Sequence, residues 1–284
     1  MTLRFAHISD PHFGTERLQV MGELCRTLRA LAPELVVLSG DITQRARRSQ
    51  FTAAGAFLRT LAPLPVLAVP GNHDIPLFNL LARFCWPYRG YQRVFGEDLA
   101  PDLGIRGVRF FGFNTAPYWR HKHGELEPQA AARRLAADDS ACPLRVAVLH
   151  HPLDCRSRSD DSNLLRPAPD VVEIFASHGV DLVLGGHIHD PYAAASSERY
   201  PQTSPALVIA LAGTCVSTRT RVRAPNSFNL ITLDEGPQPT QAIERWDMGA
   251  GGEFAPVACN SFVRDGATGW RPLPGRQSRC MADS

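Results

Sequence analysis

Val66-Leu67-Ala68-Val69-Pro70-Gly71-Asn72-His73-Asp74 is the stretch that decides the fold. Four apolar residues bounded by Pro and Gly read as a short buried strand. Asn, His and Asp then fall in a turn at its carboxyl end, where open α/β sheets place their ligands. An amide oxygen, an imidazole and several donors within one turn suit holding a metal ion and protonating something beside it. Asn, Asp and Gly are also ordinary turn residues. The turn therefore gains meaning only from the rest of the chain.

Working outward, Leu3–Ile8 alternates as a first strand, and Leu35–Leu38 is a second buried run. Between them, residues 16–32 carry Leu18, Met21, Leu24, Cys25, Leu28 and Leu31 at a helical period, closed by Pro33. Phe51 to Leu61 repeats that period with Phe51, Ala54, Phe57, Leu58 and Leu61. The opening is thus βαβαβ, which predicts a parallel sheet with helices on its faces.

Downstream, residues 75–100 are irregular or helical and rich in aromatics (Phe78, Phe84, Trp86, Tyr88, Tyr91, Phe95), read as a core patch or a substrate wall. A hairpin is expected around Gly107, helices over residues 127–137 and 170–178, and buried strands over Arg145–Leu149 and Leu182–Leu184. Residues 206–211, 227–233 and 241–246 then alternate with no helix between them, so a second sheet packed on the first is expected. From Gly249 onward Gly, Pro, Ser and Arg dominate, which reads as an extended tail, ordered only if it docks.

The 284 residues predict one or two domains. A 44% hydrophobic and 20% charged composition supports a packed core and excludes wholesale disorder. The net charge of +2 argues against a dedicated nucleic-acid binder. No apolar run approaches the ~18 residues of a membrane span, and the first residues lack the pattern of a signal peptide. Seven scattered cysteines with no Cys-x-x-Cys pair fit reduced thiols in the cytoplasm and no zinc ribbon.

The chemistry gathers at strand ends. Asp10-Pro11-His12 follows the first strand, Gly40-Asp41 the second, Gly71-Asn72-His73-Asp74 the third, His150 the Arg145–Leu149 strand, and Gly185-Gly186-His187-Ile188-His189 the Leu182–Leu184 strand. Residues two apart share a face in extended chain, which pairs Asp10 with His12 and His187 with His189. Two Asp, one Asn and five of the ten His therefore converge. Imidazole, carboxylate and amide oxygen without thiolate suit manganese, iron, zinc, cobalt or nickel. Seven ligands exceed one tetrahedral ion and suit two ions about 3.5–4 Å apart sharing one carboxylate, for which Asp41 is the natural bridge.

In this order, Asp10-x-His12, Gly40-Asp41, Gly71-Asn72-His73-Asp74, His150 and Gly186-His187-x-His189 resemble the calcineurin-like metallophosphoesterase superfamily. The motifs span residues 10–189, about two thirds of the chain. The resemblance implies a four-layer α/β/β/α sandwich of two mixed β-sheets flanked by helices, over a domain of residues 1–248 with residues 249–284 as the tail. It implies that Asp10, His12, Asp41 and His189 hold one metal and Asp41, Asn72, His150 and His187 the other, with manganese or iron the first expectation. The motif and the strand ending at Leu149 favour His150 over His151. His73 is implied as general acid, and Asp74 orients His73 or, the preferred reading, braces the turn. The chemistry so implied is attack by a metal-bridging hydroxide on a phosphodiester, with His73 protonating the leaving alkoxide.

Within the superfamily the chain most resembles the bacterial branch grouped with class III cyclic-nucleotide phosphodiesterases. The residues that carry this are His7–Gly14, Pro70–Pro76 and His150-His151-Pro152. A small phosphodiester such as a 3',5'-cyclic nucleotide is the expected substrate. The rivals are a nuclease, a lipid-pyrophosphate hydrolase and a non-catalytic protein-binding scaffold. Arginine forks suit phosphate, so Arg45 after Asp41, and Arg219 and Arg221 after Gly213, are candidate substrate contacts. Nucleic acid is not an expected partner, and the sequence leaves the oligomeric state open, a homodimer included.

Overall fold

The computed structural model describes residues 1–266 and 268–273. Its first half follows the expected path through β1 (Thr2–Ile8), α1 (Leu18–Leu31), β2 (Val36–Ser39), α2 (Arg48–Leu61) and β3 (Val66–Val69). The three strands pair in parallel, Ala6 beside Val36 and Val36 beside Val66. All of β2 is buried, as expected of a parallel strand between two packed layers. Val20, Leu24, Cys25 and Leu28 form the inward stripe of α1. That helix stops where Ala32 turns left-handed (φ 46°), just before Pro33.

After β3, one turn of 3-10 helix (Asn72–Asp74) leads to two short helices, α3 (Leu80–Cys85) and α4 (Arg89–Phe95). The chain then crosses to the second sheet. There follow β4 (Asp102–Ile105), β5 (Val108–Gly112), α5 (Pro128–Ala136), β6 (Leu144–Val148), α6 (Ala168–Ser177), β7 (Leu182–Gly185), β8 (Tyr192–Ala195) and β9 (Val208–Leu211). It returns to the first sheet for β10 (Ser227–Asp234), β11 (Thr240–Met248), β12 (Phe254–Asp265) and β13 (Gly269–Pro272).

Two mixed sheets result. One runs β13-β12-β11-β10-β1-β2-β3 and the other β4-β5-β6-β7-β9-β8. They face each other across a core of Phe5, Val37, Val69, Phe110, Val146, Leu184 and Val208. Phe5 of the first sheet meets Phe110 of the second edge to face, with ring centroids 5.2 Å apart. The outer face of the first sheet packs on Leu24 and Leu28 of α1 and on Phe51 and Phe57 of α2. The outer face of the second packs on Leu135 of α5 and Val172 and Phe175 of α6. The architecture is the expected four-layer sandwich. Among the described residues, no helix is long and apolar enough to cross a membrane.

Three expectations change. The short strand β8 carried no sequence signal, because Tyr-Ala-Ala-Ala neither alternates nor is β-branched. The aromatics of residues 75–100 are not one patch. Tyr91 is fully buried and stacks on Phe95, whereas Phe78, Phe84 and Trp86 are exposed.

The third change concerns the segment after Gly249, expected as a tail. Its described part belongs to the sheet. Gly249 and Gly252 close a tight turn, after which β12 pairs with β11 along its length and β13 with β12. Trp270, 2% exposed, donates its indole N–H to Asp181 at 2.9 Å, tying the end of the first sheet to the second. Composition misled because β12 lies half-exposed and carries Pro, Asn and Ser among its apolar residues. Residues 274–284 of the expected tail lie outside the described residues.

A chain ending at Met248 loses β12 and β13 and uncovers Ile243 and the long edge of β11. We expect such a truncation to aggregate, or to lose its cooperative thermal transition by circular dichroism. A soluble, cooperatively melting 1–248 fragment would restore a boundary at that residue.

Candidate metal centre

The five motif turns sit at the carboxyl ends of β1, β2, β3, β6 and β7, and the aligned sheets bring them to one edge of the sandwich. Their backbone is unusual. Asp10, His12, Asp41, His187 and His189 have φ of 52°, 45°, 47°, 69° and 59°, five of the eight non-glycine residues with positive φ among the described residues. Asp and His tolerate this left-handed region better than bulkier residues. The side chains gathered at the centre are those of these left-handed residues themselves. Two glycines allow the turns to touch. A Cβ at Gly71 would strike the backbone and carboxylate of Asp41, and one at Gly186 would strike Ser9 and the carboxylate of Asp10.

The predicted ligands form two groups about Asp41. In the first, His189 Nε2 lies 3.1 Å from Asp10 Oδ1 and 3.1 Å from His12 Nε2. His12 Nε2 in turn lies 3.7 Å from Asp41 Oδ2. In the second, His150 Nε2 lies 3.2 Å from Asp41 Oδ1 and 3.3 Å from His187 Nδ1. The two oxygens of Asp41 thus face different histidines. Asn72 lines the same cleft as Asp41, His187 and His189. Its amide nitrogen donates to the His121 carbonyl at 3.4 Å, while its Oδ1 is buried with no partner among the described residues. An orphaned carbonyl oxygen costs stability unless something binds it, and a bound cation would satisfy it.

The outer nitrogens fix the inner ones. His150 Nδ1 donates to the Ser39 carbonyl at 2.8 Å, and His189 Nδ1 to the Arg219 carbonyl at 2.6 Å. Both rings are therefore held with Nε2 inward toward the carboxylates, the atom that metal-ligating imidazoles oriented in this way would offer a cation. Asp10 is oriented through Oδ2, which accepts from Ser9 Oγ at 2.6 Å and from the His187 N–H at 3.0 Å.

The electrostatics match. Burial drives His12 down to about 4 and His187 to about 3, so both are neutral at pH 7. Burial disfavours ionised Asp10 and Asp41, but the surrounding histidines outweigh it and hold both carboxyls well below the usual range. Burial likewise lowers His150, yet the facing Asp41 lifts it to about 9. Two carboxylates, the neutral imidazoles of His12 and His187 and an orphaned amide oxygen fit a divalent cation centre, and a bound cation would displace the proton that Asp41 holds on His150.

His73 sits at the mouth. Its backbone N–H donates to Asp41 at 2.8 Å, and its Nδ1 donates to the Gln44 carbonyl at 2.8 Å, leaving Nε2 toward the cleft. Asp74 does not reach that ring. Its buried carboxylate accepts from the N–H groups of Gly71, Ile42 and Thr43 at 2.9, 3.1 and 2.7 Å, clamping the β2 and β3 turns together. Burial and the nearby charge of Asp41 raise it to about 7. The geometry is that of a brace and supplies no contact for a catalytic role.

Of the three arginines, Arg219 enters the site. Its Nη1 lies 3.3 Å from His73 Nε2 and 3.2 Å from His12 Nε2. Arg221 lines the same cleft but is paired twice with Asp160, both bonds 2.8 Å. Arg45 lies off to the side over the Phe78 ring. His151 falls close to His150 and His187. Both its ring nitrogens are engaged, Nδ1 with Thr115 at 2.9 Å and Nε2 with the Lys122 carbonyl at 3.1 Å, so it has no free lone pair to offer. The cleft over the centre holds about 530 Å³, and His121, Lys122 and Asn163 also line it. His121 and Lys122 sit in an irregular loop and Asn163 ends a short 3-10 helix (Arg158–Asn163), where neither period nor motif marks a residue in sequence.

Residues 3–191 match the calcineurin-like phosphoesterase family. The chain belongs to that family. This calcineurin-like phosphoesterase thereby joins the metal-dependent phosphoester hydrolases, a family that implies a dinuclear divalent metal centre. It is 25% identical over 227 residues to a probable cyclic nucleotide phosphodiesterase of Xenorhabdus bovienii, covering 77% of this chain and 84% of that protein. Its fold is similar to a purple acid phosphatase from yellow lupin, with TM-score 0.67 and 14% identity over 93% of this chain. The chain spans about half of the lupin enzyme, 53%. A dimetal phosphatase from Danio rerio gives TM-score 0.62 at 16% identity, covering 86% of this chain and 95% of the other.

Because the oxygens of Asp41 face both groups, Asp41→Ala is expected to empty both metal positions. His189→Ala should spare the Asn72, His150 and His187 side. Metal analysis of the two dialysed variants checks this, and an Asp41→Ala protein still holding two ions would refute the shared ligand.

Proposed function

We propose that the protein is a dinuclear phosphodiesterase acting on a small phosphodiester, with a 3',5'-cyclic nucleotide the first candidate. The observation that carries this reading is the meeting of His73 Nε2 and the Arg219 guanidinium, 3.3 Å apart, over the two groups that share Asp41. Asp10, His12, Asp41 and His189 would hold one ion, and Asp41, Asn72, His150 and His187 the other. Manganese or iron suits the nitrogen and oxygen donors. Bound there, two ions supply an activated water and neutralise charge on the phosphate.

The remaining chemistry belongs to side chains. Arg219 presents fixed N–H donors to phosphate oxygens that carry more charge in the transition state. The Gln44 carbonyl holds the Nδ1 proton of His73, so the proton given to the departing alkoxide is carried on Nε2. Asp74 keeps the His73 turn against the β2 turn. The cleft of about 530 Å³ suits a nucleotide-sized ligand. The cyclic-nucleotide choice is supported by the likeness to the Xenorhabdus protein, a probable cyclic nucleotide phosphodiesterase. The six described cysteines are free thiols, which suits a reducing cytoplasm.

The test is hydrolysis of bis-p-nitrophenyl phosphate, p-nitrophenyl phosphate and cyclic AMP by manganese-loaded protein. Diester turnover above monoester turnover, with cyclic AMP cleaved, supports the reading. Preference for the monoester overturns it. His73→Ala should lower kcat on the diester by about 10²–10⁴-fold at unchanged metal content. Full activity in that variant removes His73 from the acid role.

A further inference from the structure

Beside the metal cleft lies a surface the proposed chemistry does not use. Leu80, Leu81 and Phe84 of α3 are exposed, with Leu81 at 68%, and Phe78 just before them is 81% exposed. The Phe84 ring meets Tyr118 at 5.9 Å, and Tyr118 meets the exposed Trp119 at 5.0 Å. Arg83 pins the two segments together, donating to the carbonyls of Pro76 at 2.9 Å and Arg120 at 2.5 Å. A group of bulky apolar side chains is thus held out toward solvent by a fixed scaffold. Soluble monomers rarely leave such a patch without a partner.

Charge says which partner. Residues 42–96 contain seven arginines and one acid, Asp74, which is buried. Arg48, Arg89 and Arg93 line a cleft of about 350 Å³ together with Trp86 and Phe51, immediately behind α3. None of these three arginines pairs with an acid among the described residues. Exposed Leu, Phe and Trp framed by unpaired arginines is the composition of an interfacial membrane anchor, and basic residues beside it draw it to anionic lipid. Leucines argue against a base-stacking platform for single-stranded nucleic acid, which needs aromatic faces. A second copy of this chain would bring an equally cationic face against the first.

We infer that the face formed by α3, Phe78 and Trp119 docks this protein on an anionic bilayer surface. Phe78 stacks under Arg45, which shares a recess with His73. Docking therefore sets the metal cleft beside the lipid headgroups. The inference stands apart from the substrate reading, since vesicle binding is read without turnover.

The experiment is co-sedimentation of the full chain with phosphatidylcholine vesicles, with and without about one third phosphatidylglycerol. Tryptophan emission is followed in parallel. Binding to the anionic vesicles with a blue shift is expected, and little to neutral ones. Leu81→Asp and, separately, Arg89→Glu with Arg93→Glu should each weaken it by about tenfold. Turnover of bis-p-nitrophenyl phosphate by either variant should stay unchanged, which shows that the fold survives. No partition into anionic vesicles overturns the inference, as does binding that survives both variants. A dimer in light scattering that Leu81→Asp dissolves, or binding of single-stranded oligonucleotide in place of vesicles, assigns the face elsewhere and also overturns it.

Discussion

The carboxylate of Asp41 is the constraint on which the rest depends. It is buried where turns from both sheets meet, with one oxygen toward His150 and the other toward His12. A buried carboxylate is costly unless charge and hydrogen bonds compensate it. Here the compensation comes from histidines of both sheets and from the backbone N–H of His73. Any shift of one sheet against the other would strand that charge. The interlocked sheet–sheet core, in which Phe5 meets Phe110, is what prevents the shift.

The centre also concentrates local strain that the scaffold must absorb. Asp10, His12, Asp41, His187 and His189 all lie in the left-handed backbone region, and Asn72 keeps a buried oxygen without a partner. Such features persist only where surrounding structure over-determines them. Asp74 is part of that determination. Its buried carboxylate gathers three backbone N–H groups from two turns and so sets the spacing between Asp41 and His73. Of the two roles its motif left open, orienting His73 or bracing the turn, the contacts of Asp74 are those of the brace.

The rim is built by different means. Arg219 and Arg221 are two residues apart, yet one reaches His73 and the other is bound to Asp160. The loop from β9 to β10 crosses the centre, and the His189 ring anchors it at the Arg219 carbonyl. A single residue of this loop therefore holds the ring of a candidate ligand through its backbone and offers its side chain to the cleft. Arg45 is drawn off by the Phe78 ring and belongs to the neighbouring surface.

Sequence by itself determined the order of the first strands and helices, the strand-end position of every candidate ligand, and the kind of metal those donors suit. These are local properties: apolar period, turn residues and side-chain chemistry within a few positions. Only the tertiary structure decided that Phe254–Asp265 and Gly269–Pro272 complete the first sheet, because strand pairing at a half-exposed edge leaves little period to read. It alone decided that His151 is consumed by Thr115 and Lys122 while its neighbour His150 faces Asp41. It alone divided the arginines and the aromatics into buried, paired and exposed sets. Those outcomes depend on partners far away in the chain, and no local pattern encodes a contact whose other half lies in a different sheet.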